Sequence, residues 1–324
     1  MKVEAVDLLL KGLELKQSLR YGENPHQEAA WCVFPDEGLS TAKQLQGKEL
    51  SYNNLIDLDA AVSTVQEFAG QPGCVVIKHT NPCGAAVGDS PYDALTRALD
   101  GDRVSCFGGI IAFNSTVDTE CAGELVKSFY ECIVAPYFDE EARTILSAKK
   151  NLRLLELDVN GIKVHPYNVR SILGGVLVQD KDNEPVTTFT ADWKVATERQ
   201  PTLKEMVDLT FAWKVVRHVR SNAILIAKDG ATIGVGAGQM NRVGSANIAL
   251  TAKDNKEILG PTIEGAVLAS DGFFPFSDTV KLANDNGIKA VIQPGGSIKD
   301  QESIDACNEL GMTMVFTGKR HFLH

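Results

Sequence analysis

Short apolar runs alternate with helix-like segments along the whole chain, and this pattern limits the fold more than any other feature. Runs such as 74–77 (CVVI) and 223–227 (AILIA) are long enough to form buried strands. Between such runs, apolar residues recur every three or four positions, as at 55–69 and 203–219, which is typical of helices with one buried face. Strands that alternate with helices predict an α/β fold.

The predicted elements fall into two sets separated by a polar stretch at 179–184. The first set has helices at 55–69, 119–131 and 139–149 and one that starts at Pro91, strands at 74–77, 133–135, 152–157 and 174–178, and a glycine-kinked turn into a strand at 107–113. The second set has a helix at 203–219, strands at 223–227, 232–235, 267–269 and 290–292, and a hairpin turn at 228–230. We therefore predict two α/β subdomains, residues 1–185 and 186–324, which are candidates for distant copies of one architecture.

Composition and charge narrow the class of protein. The chain has 324 residues and a formal net charge of −10, which argues against a surface that coats nucleic acid. Seven cysteines, an odd number without a C-x-x-C pair, are typical of a reduced, cytoplasmic protein. The first residues lack the pattern of a signal peptide, and no apolar run reaches the length of a membrane span.

The segment 78–84 (KHTNPCG) places a cation and a base directly after the 74–77 strand. Asn81-Pro82 disfavours a helix and Gly84 allows a positive φ, so we expect a turn or loop here. In α/β proteins, polar groups where a strand leaves the core often carry chemistry. A solvated loop with a chance Lys–His pair is an equally good interpretation of this segment alone.

Zinc chemistry is disfavoured by the residues around His79. Zinc-dependent nucleobase deaminases need H-x-E and P-C-x-x-C, because three ligands hold the metal and the Glu moves protons. Here Asn81 follows His79 by two positions and Ala86 follows Cys83 by three. We therefore expect no metal. A nucleophilic Cys83 paired with His79 is conceivable, but a small loop residue is the better interpretation.

Three further segments leave alternatives open. The segment 236–242 (GAGQMNR) resembles the start of a glycine-rich anion loop, although close helix–strand packing is the better explanation of a lone Gly-x-Gly. The segment 295–297 (GGS) is a possible nest of backbone N–H groups. The aromatic run 273–276 (FFPF) fits either a core or a flat wall for a ring-shaped ligand.

Taken together, nine segments resemble, in the same order, the formyltransferase part of the AICAR transformylase/IMP cyclohydrolase family of purine biosynthesis. They are 19–27 (LRYGENPHQ), 45–54 (LQGKELSYNN), 78–84 (KHTNPCG), 107–114 (FGGIIAFN), 221–223 (SNA), 234–242 (GVGAGQMNR), 269–278 (ASDGFFPFSD), 293–298 (QPGGSI) and 320–324 (RHFLH). Gly272 is a departure, since the family commonly has Ala there. Collinear agreement of this kind is far more specific than any single motif.

The resemblance implies two cytidine-deaminase-like α/β subdomains without zinc and a homodimer whose active site lies at the interface. The family usually carries a cyclohydrolase domain before the first matching segment, and only 18 residues precede it here. We therefore expect transformylase activity without cyclohydrolase activity, with a separate IMP cyclohydrolase as a possible partner.

The resemblance also implies the reaction and its residues. The formyl group of 10-formyltetrahydrofolate would pass to the 5-amino group of 5-aminoimidazole-4-carboxamide ribonucleotide (AICAR). His79 would accept a proton, Lys78 would stabilise the transition state, and Asn222 would hold the carboxamide or the imidazole. Contacts to the nucleotide are expected from Arg20, Tyr21, Gly108, Glu131, Arg242, Phe273 and Arg320. Contacts to the folate are expected from Val243, Asp278, Ser297 and Ile298. A catalytically silent nucleotide- or folate-binding relative is the alternative.

Overall fold

A computed structural model describes residues 12–184, 186, 192–251 and 262–324. Its strands are β1 (Glu14–Leu19), β2 (Ala29–Val33), β3 (Lys43–Gln46), β4 (Gly73–Lys78), β5 (Asn81–Val87), β6 (Ile110–Phe113), β7 (Cys132–Ala135), β8 (Arg153–Glu156), β9 (Tyr167–Ile172), β10 (Gly175–Asp180), β11 (Lys194–Val195), β12 (Ile224–Lys228), β13 (Ala231–Gly236), β14 (Val267–Ser270), β15 (Ala290–Gln293) and β16 (Thr313–Phe316). Its helices are α1 (Tyr52–Val65), α2 (Pro91–Gly101), α3 (Arg103–Cys106), α4 (Thr119–Leu125), α5 (Glu140–Leu146), α6 (Leu203–Val216), α7 (Arg242–Thr251), α8 (Asp278–Asp285) and α9 (Asp300–Glu309).

Twelve of these strands form one mixed sheet in the order β11-β16-β15-β14-β12-β13-β5-β4-β6-β7-β8-β3. Each half of the sheet has the same arrangement: a hairpin, an antiparallel neighbour, two further parallel strands and an antiparallel edge strand. The halves join where β5 pairs with β13 in antiparallel fashion, Ala231 opposite Ala86. The predicted α/β fold is confirmed, with a large mixed sheet. The boundary at 185/186 stays a prediction.

Helices cover both faces of this sheet because successive side chains of each strand point to opposite faces. Val75 and Ile77 of β4 pack with α1 and α6 in one core cluster. Cys74 and Val76 pack on the other face with α2, α4 and α5. In the second half, α7, α8 and α9 cover that other face. The chemistry-bearing loops therefore have room only at the edges where strands begin and end.

The helix starts follow from local capping. Ser51 caps α1 in a reciprocal pair with Asn54, and Thr202 caps α6 in the same way with Glu205. The predicted helix at 119–131 is too long, since α4 ends at Leu125. The N–H of Glu131 bonds to the carbonyl of Gly109 at 3.0 Å, so the chain has already joined the sheet there.

Two other expectations need correction, and three helices were missed. The predicted helix at 139–149 is shorter, because α5 spans only Glu140–Leu146. The predicted strand at 174–178 exists as β10, but it pairs with β9 in a ribbon outside the main sheet. The helices α7, α8 and α9 were not predicted at all. In the described part of the chain, no helix is both long and apolar enough to cross a membrane.

Candidate functional site

Residues 78–84 form a tight hairpin between β4 and β5, and β5 already begins at Asn81. The two turn residues, His79 and Thr80, have φ of 51° and 63°. The predicted loop is therefore a two-residue turn, and the positive φ lies at these residues and not at Gly84. Gly84 serves packing instead, because a β-carbon there would lie 1.9 Å from the Ala98 carbonyl of α2.

The His79–Thr80 turn is held from both halves of the molecule. Asp57 of α1 accepts a hydrogen bond from the Thr80 N–H at 2.7 Å. From the second half, Arg220 donates through Nε to the Thr80 hydroxyl at 3.0 Å and through its backbone N–H to the Asn81 side chain at 3.0 Å. These contacts fix the backbone that carries His79.

Lys78, Gly108 and Glu131 lie at one edge of the sheet. Lys78 ends β4, and its Nζ donates to the Phe107 carbonyl at 2.6 Å, beside Gly108. Gly108 and Glu131 precede β6 and β7, which run opposite to β4, so both meet Lys78 at the same edge. Glu131 accepts a hydrogen bond from Arg153 at 2.8 Å. The structure thus brings these three predicted residues to neighbouring strand ends.

Asn222, Arg242 and Asp271 form a buried polar cluster in the second half. Arg242 donates through Nη1 to Asp271 at 2.5 Å and to the Ser270 hydroxyl at 2.8 Å, and through Nη2 to the Asn222 oxygen at 2.9 Å. Asn222, which follows a cis Ser221–Asn222 peptide bond, donates to the Gln239 carbonyl at 2.8 Å. Because both Nη atoms of Arg242 have internal partners, this guanidinium orients Asn222.

The Asn222 cluster and the His79 turn are joined through Arg220. Besides its contacts to the turn, Arg220 accepts the Gly238 N–H at 2.8 Å through its carbonyl. Gly238 lies next to Gln239, the residue that holds the Asn222 side chain. The two predicted catalytic regions are therefore parts of one hydrogen-bonded edge.

In 236–242, Gly236 supports the packing interpretation, whereas Gly238 has a φ of 66° and open space beside it. A β-carbon on Gly236 would lie 1.9 Å from the Ser245 carbonyl of α7, so glycine is needed for the helix to approach. The nest at 295–297 is already filled: the Gly295 and Gly296 N–H groups donate to Gln293 and Asp300 at 2.7 Å each. In the second segment, two of the three backbone N–H groups therefore already have internal acceptors.

The loops after β14, β15 and β16 carry the remaining predicted residues. Phe273 is 40% exposed, and Arg320 lies over the Phe322 ring at 4.7 Å. A β-carbon on Gly272 would lie 2.6 Å from Arg242 Nη2 and 2.7 Å from the Phe322 ring. Glycine at this position therefore lets Arg242 and Phe322 approach the loop.

The predicted folate contacts cluster around the loops that follow β14 and β15. Val243 lies in the first turn of α7, and Asp278 begins α8. Lys299, two residues after Ser297, lies over the Phe276 ring at 4.7 Å and so joins the two loops. Ile298, which lies between Ser297 and Lys299 in the sequence, is fully exposed. This arrangement leaves an apolar side chain pointing to solvent beside the site.

Arg20 and Tyr21 lie on a different sheet from these residues. They follow β1 in a two-stranded ribbon that is not part of the main sheet, and the Arg20 guanidinium lies 5.6 Å from the Tyr21 ring. Among the described residues, no hydrogen bond or ring contact joins this pair to Lys78, His79 or Asn222. The structure therefore shows no direct contact between this pair and those three residues.

A cavity of about 1330 Å³ lies on the α1 and α6 side, between the β1–β2 and β9–β10 ribbons, and no predicted site residue lines it. Its wall contains Glu67, which accepts a hydrogen bond from His218 at 3.0 Å. Burial raises the pKa of Glu67, but the hydrogen bond and charge of His218 and the charge of Arg217 outweigh it and hold this pKa below its usual range. These ion pairs stabilise the scaffold behind the turn.

Two further points concern metal ligands and three residues that support the site. Within the described ranges, no group of three or more His, Cys, Asp or Glu side chains is arranged to hold a metal ion. Sequence reasoning gave no role to Asp57, Arg220 or Asp271, which position the predicted catalytic residues. Asp271 lies in a matched segment and Arg220 directly precedes one, which was a usable signal, whereas nothing local marks Asp57.

Comparison with known proteins identifies the family. The model of the AICARFT/IMPCHase bienzyme family matches residues 3–252. The chain is 60% identical to the bifunctional purine biosynthesis protein PurH of Prochlorococcus marinus (strain NATL1A) over 97% of this chain and 61% of that protein. It is 61% identical to PurH of Synechococcus sp. (strain CC9311) over 97% of this chain and 60% of that protein. The chain thus spans about three fifths of the length of these relatives, and it belongs to the AICARFT/IMPCHase bienzyme family.

Proposed function

We propose that this chain transfers the formyl group of 10-formyltetrahydrofolate to the 5-amino group of AICAR in purine biosynthesis. One observation carries the proposal: the Lys78–His79 hairpin, the Asn222 cluster and the loops after β14 and β15 all lie at one edge of the continuous sheet. The repeated strand order of the two halves supports the cytidine-deaminase-like subdomains that the resemblance implies.

The chemistry explains the residue types at the turn. The AICAR amine is conjugated with its ring and carboxamide and is a poor nucleophile, so a base must remove a proton as its nitrogen attacks the formyl carbon. Neutral His79 suits this task near pH 7. The bond from the formyl carbon to the folate nitrogen then breaks, and that nitrogen needs a proton. Lys78 serves the departing nitrogen or the negative charge on the formyl oxygen, from a position fixed by the Phe107 carbonyl.

Binding of the nucleotide is assigned to the other residues of this edge. Asn222 holds the carboxamide or the imidazole, and its oxygen is oriented by Arg242 at 2.9 Å. Phe273 offers an exposed ring to a flat heterocycle. Arg320 supplies a forked donor for the phosphate. We propose that Arg20 and Tyr21 reach this site from a second copy of the chain, so the active form is a homodimer.

The proposal is tested by incubating the protein with AICAR and 10-formyltetrahydrofolate and following tetrahydrofolate formation. Enzyme-dependent tetrahydrofolate is the expected result, and it should survive exhaustive chelation. Binding of both ligands without turnover would replace the proposal with the silent-relative alternative. Sedimentation at assay concentration should show a dimer, and a fully active monomer would contradict the shared site.

Ring closure is a separate activity and needs its own assay. The family name covers two activities, and formylation of so stabilised an amine is expected to be near-balanced or uphill. Ring closure of the product would draw the reaction forward. Supplying the formylated ribonucleotide to this protein alone should give no inosine monophosphate above the uncatalysed rate. Enzyme-dependent closure would overturn that part of the proposal.

A further inference from the structure

The turn that carries His79 has a backbone conformation that its residues do not favour. Two-residue hairpin turns with positive φ at both central positions prefer Asn-Gly or Asp-Gly. Here the positions are His79 and Thr80, with φ of 51° and 63°, and Thr is β-branched. A turn of this kind persists only when surrounding contacts hold it.

The equivalent hairpin of the second half shows how the fold holds such turns. There, β12 and β13 are joined by Asp229 and Gly230, with φ of 54° and 70°. The Gly230 N–H donates to Asp208 of α6 at 2.9 Å. In the first half, the Thr80 N–H donates to Asp57 of α1 at 2.7 Å.

The two aspartates occupy the same position in the two halves. Asp57 is the sixth residue of α1 (Tyr52–Val65), and Asp208 is the sixth residue of α6 (Leu203–Val216). Each accepts the N–H of the second turn residue of the hairpin beneath its helix. The two halves differ in the turn itself, because the second half has glycine where the first has Thr80.

The two turns also lie at opposite edges of the sheet. Because β5 pairs with β13 in antiparallel fashion, β4 ends at one edge and β12 ends at the other. The Asp229–Gly230 turn is therefore remote from Lys78, Asn222 and the loops after β14. The Asp208–Gly230 hydrogen bond therefore serves the fold alone, whereas the Asp57–Thr80 hydrogen bond lies beneath His79.

We propose that Asp57 is a positioning residue that fixes the His79 imidazole by anchoring the backbone of its turn. The inference rests on the proposed role of His79 in formyl transfer. Asp57 is partly buried, and this burial raises its pKa despite the hydrogen bonds from the N–H groups of Thr80 and His79. The turn thus combines a partly buried acceptor with Thr80 at a position where the second half has glycine.

The experiment compares Asp57→Ala with Asp208→Ala, its matched control. We expect Asp57→Ala to lower kcat about 10- to 100-fold, since displacement of a catalytic group by about 1 Å has an effect of this size. Nucleotide Kd should change less than about threefold. Asp57→Asn should restore most of the turnover, because the amide oxygen can still accept the N–H. Asp208→Ala should lower Tm and leave kcat of the folded protein unchanged.

Unchanged kcat in Asp57→Ala, or an equal loss of kcat in Asp208→Ala, would overturn the proposal. If Asp57→Ala does not fold, the comparison is made in a Thr80→Gly background, which gives the turn the glycine found at position 230. In that background Asp57→Ala should fold and still turn over at least about tenfold more slowly than Thr80→Gly alone. Equal turnover of the two variants would show that Asp57 does not position His79.

The rate of amide hydrogen exchange at Thr80 reports on the Asp57–Thr80 hydrogen bond independently of catalysis. Asp57→Ala should speed this exchange, and Asp208→Ala should leave it unchanged while speeding exchange at Gly230. If the wild-type protein lacks formyl transfer, the proposed function fails, and the exchange result decides whether Asp57 holds the turn. Unaltered exchange at Thr80 in Asp57→Ala would show that Asp57 does not hold the backbone of the turn.

Discussion

The two halves of this protein share one strand order but contribute opposite strand ends to the candidate site. The second half follows the usual rule for parallel strands, since its loops leave the carboxyl ends of β14, β15 and β16. The first half supplies Gly108 and Glu131, which precede the amino ends of β6 and β7. The antiparallel pairing of β5 with β13 reverses the strand direction of one half relative to the other, so both sets meet at one edge. Duplication of a fold therefore need not duplicate a site.

The largest expected difference between the two halves concerns the first residues of the two turns, His79 and Asp229. If His79 accepts the proton, His79→Ala should lose about two to four orders of magnitude in turnover, the usual range for loss of a general base. Its counterpart Asp229 is the first residue of the second turn, so Asp229→Ala should turn over normally. Steady-state kinetics, nucleotide affinity and Tm on the same preparations separate catalysis from folding. A His79→Ala variant with normal turnover would remove His79 from the mechanism.

The lysines at the ends of the two equivalent strands should differ in the same sense. Lys78→Ala should lower kcat about 10²- to 10³-fold, the effect of removing one donor to developing charge. Lys228 ends β12 at the other edge and donates to the Glu264 carbonyl at 2.8 Å. Lys228→Ala should therefore leave kcat within about twofold. Comparable losses in the two variants would show that the lysines act through stability.

Asn114 follows β6 and Asp271 follows β14, and replacing each should lower the free energy of unfolding by a different amount. Asn114 accepts a hydrogen bond at 2.7 Å from the N–H of Gly73, which begins β4. Asp271 accepts one at 3.1 Å from the N–H of Ala223, which precedes β12. Asp271→Ala should destabilise the fold by about 3–5 kcal/mol, because it leaves the buried Arg242 charge unpaired. Asn114→Ala, which removes a neutral partner, should cost about 1–3 kcal/mol. Urea denaturation measures both, and a larger cost for Asn114→Ala would refute the charge argument.

The smallest expected effect is a pH dependence at Asp57. Burial raises the pKa of this carboxyl above its ordinary 3.8, so the folded chain holds the proton more tightly than the unfolded chain. Stability must then fall as pH rises from about 3.8 through the raised pKa of the folded state. Asn does not titrate, so the stability of Asp57→Asn relative to the wild type should grow across this window and then level off. A difference that is constant with pH would contradict the raised pKa.

Sequence patterns predicted the elements whose signals are local. The helix at 55–69 appears as α1 with a 3₁₀ turn at Gln66–Phe68, and the hairpin turn at 228–230 lies between β12 and β13. Periodicity failed at 119–131 because apolar residues continue past Leu125 although the backbone has turned to join the sheet. It also missed α9, whose few apolar residues give only a weak pattern. A pattern records which residues can be buried and not where a backbone leaves its helix.

The sequence by itself determined that the chain alternates strands and helices, and that its motifs are those of one family in one order. Only the tertiary structure decided which strand ends meet. The two halves are joined by backbone pairing near Ala86 and Ala231, small residues that carry no local signal for a partner. Asp57 likewise reaches Thr80 across 23 positions of sequence. Contacts of this kind depend on how distant strands and helices are placed, and that placement is settled by packing over the whole sheet.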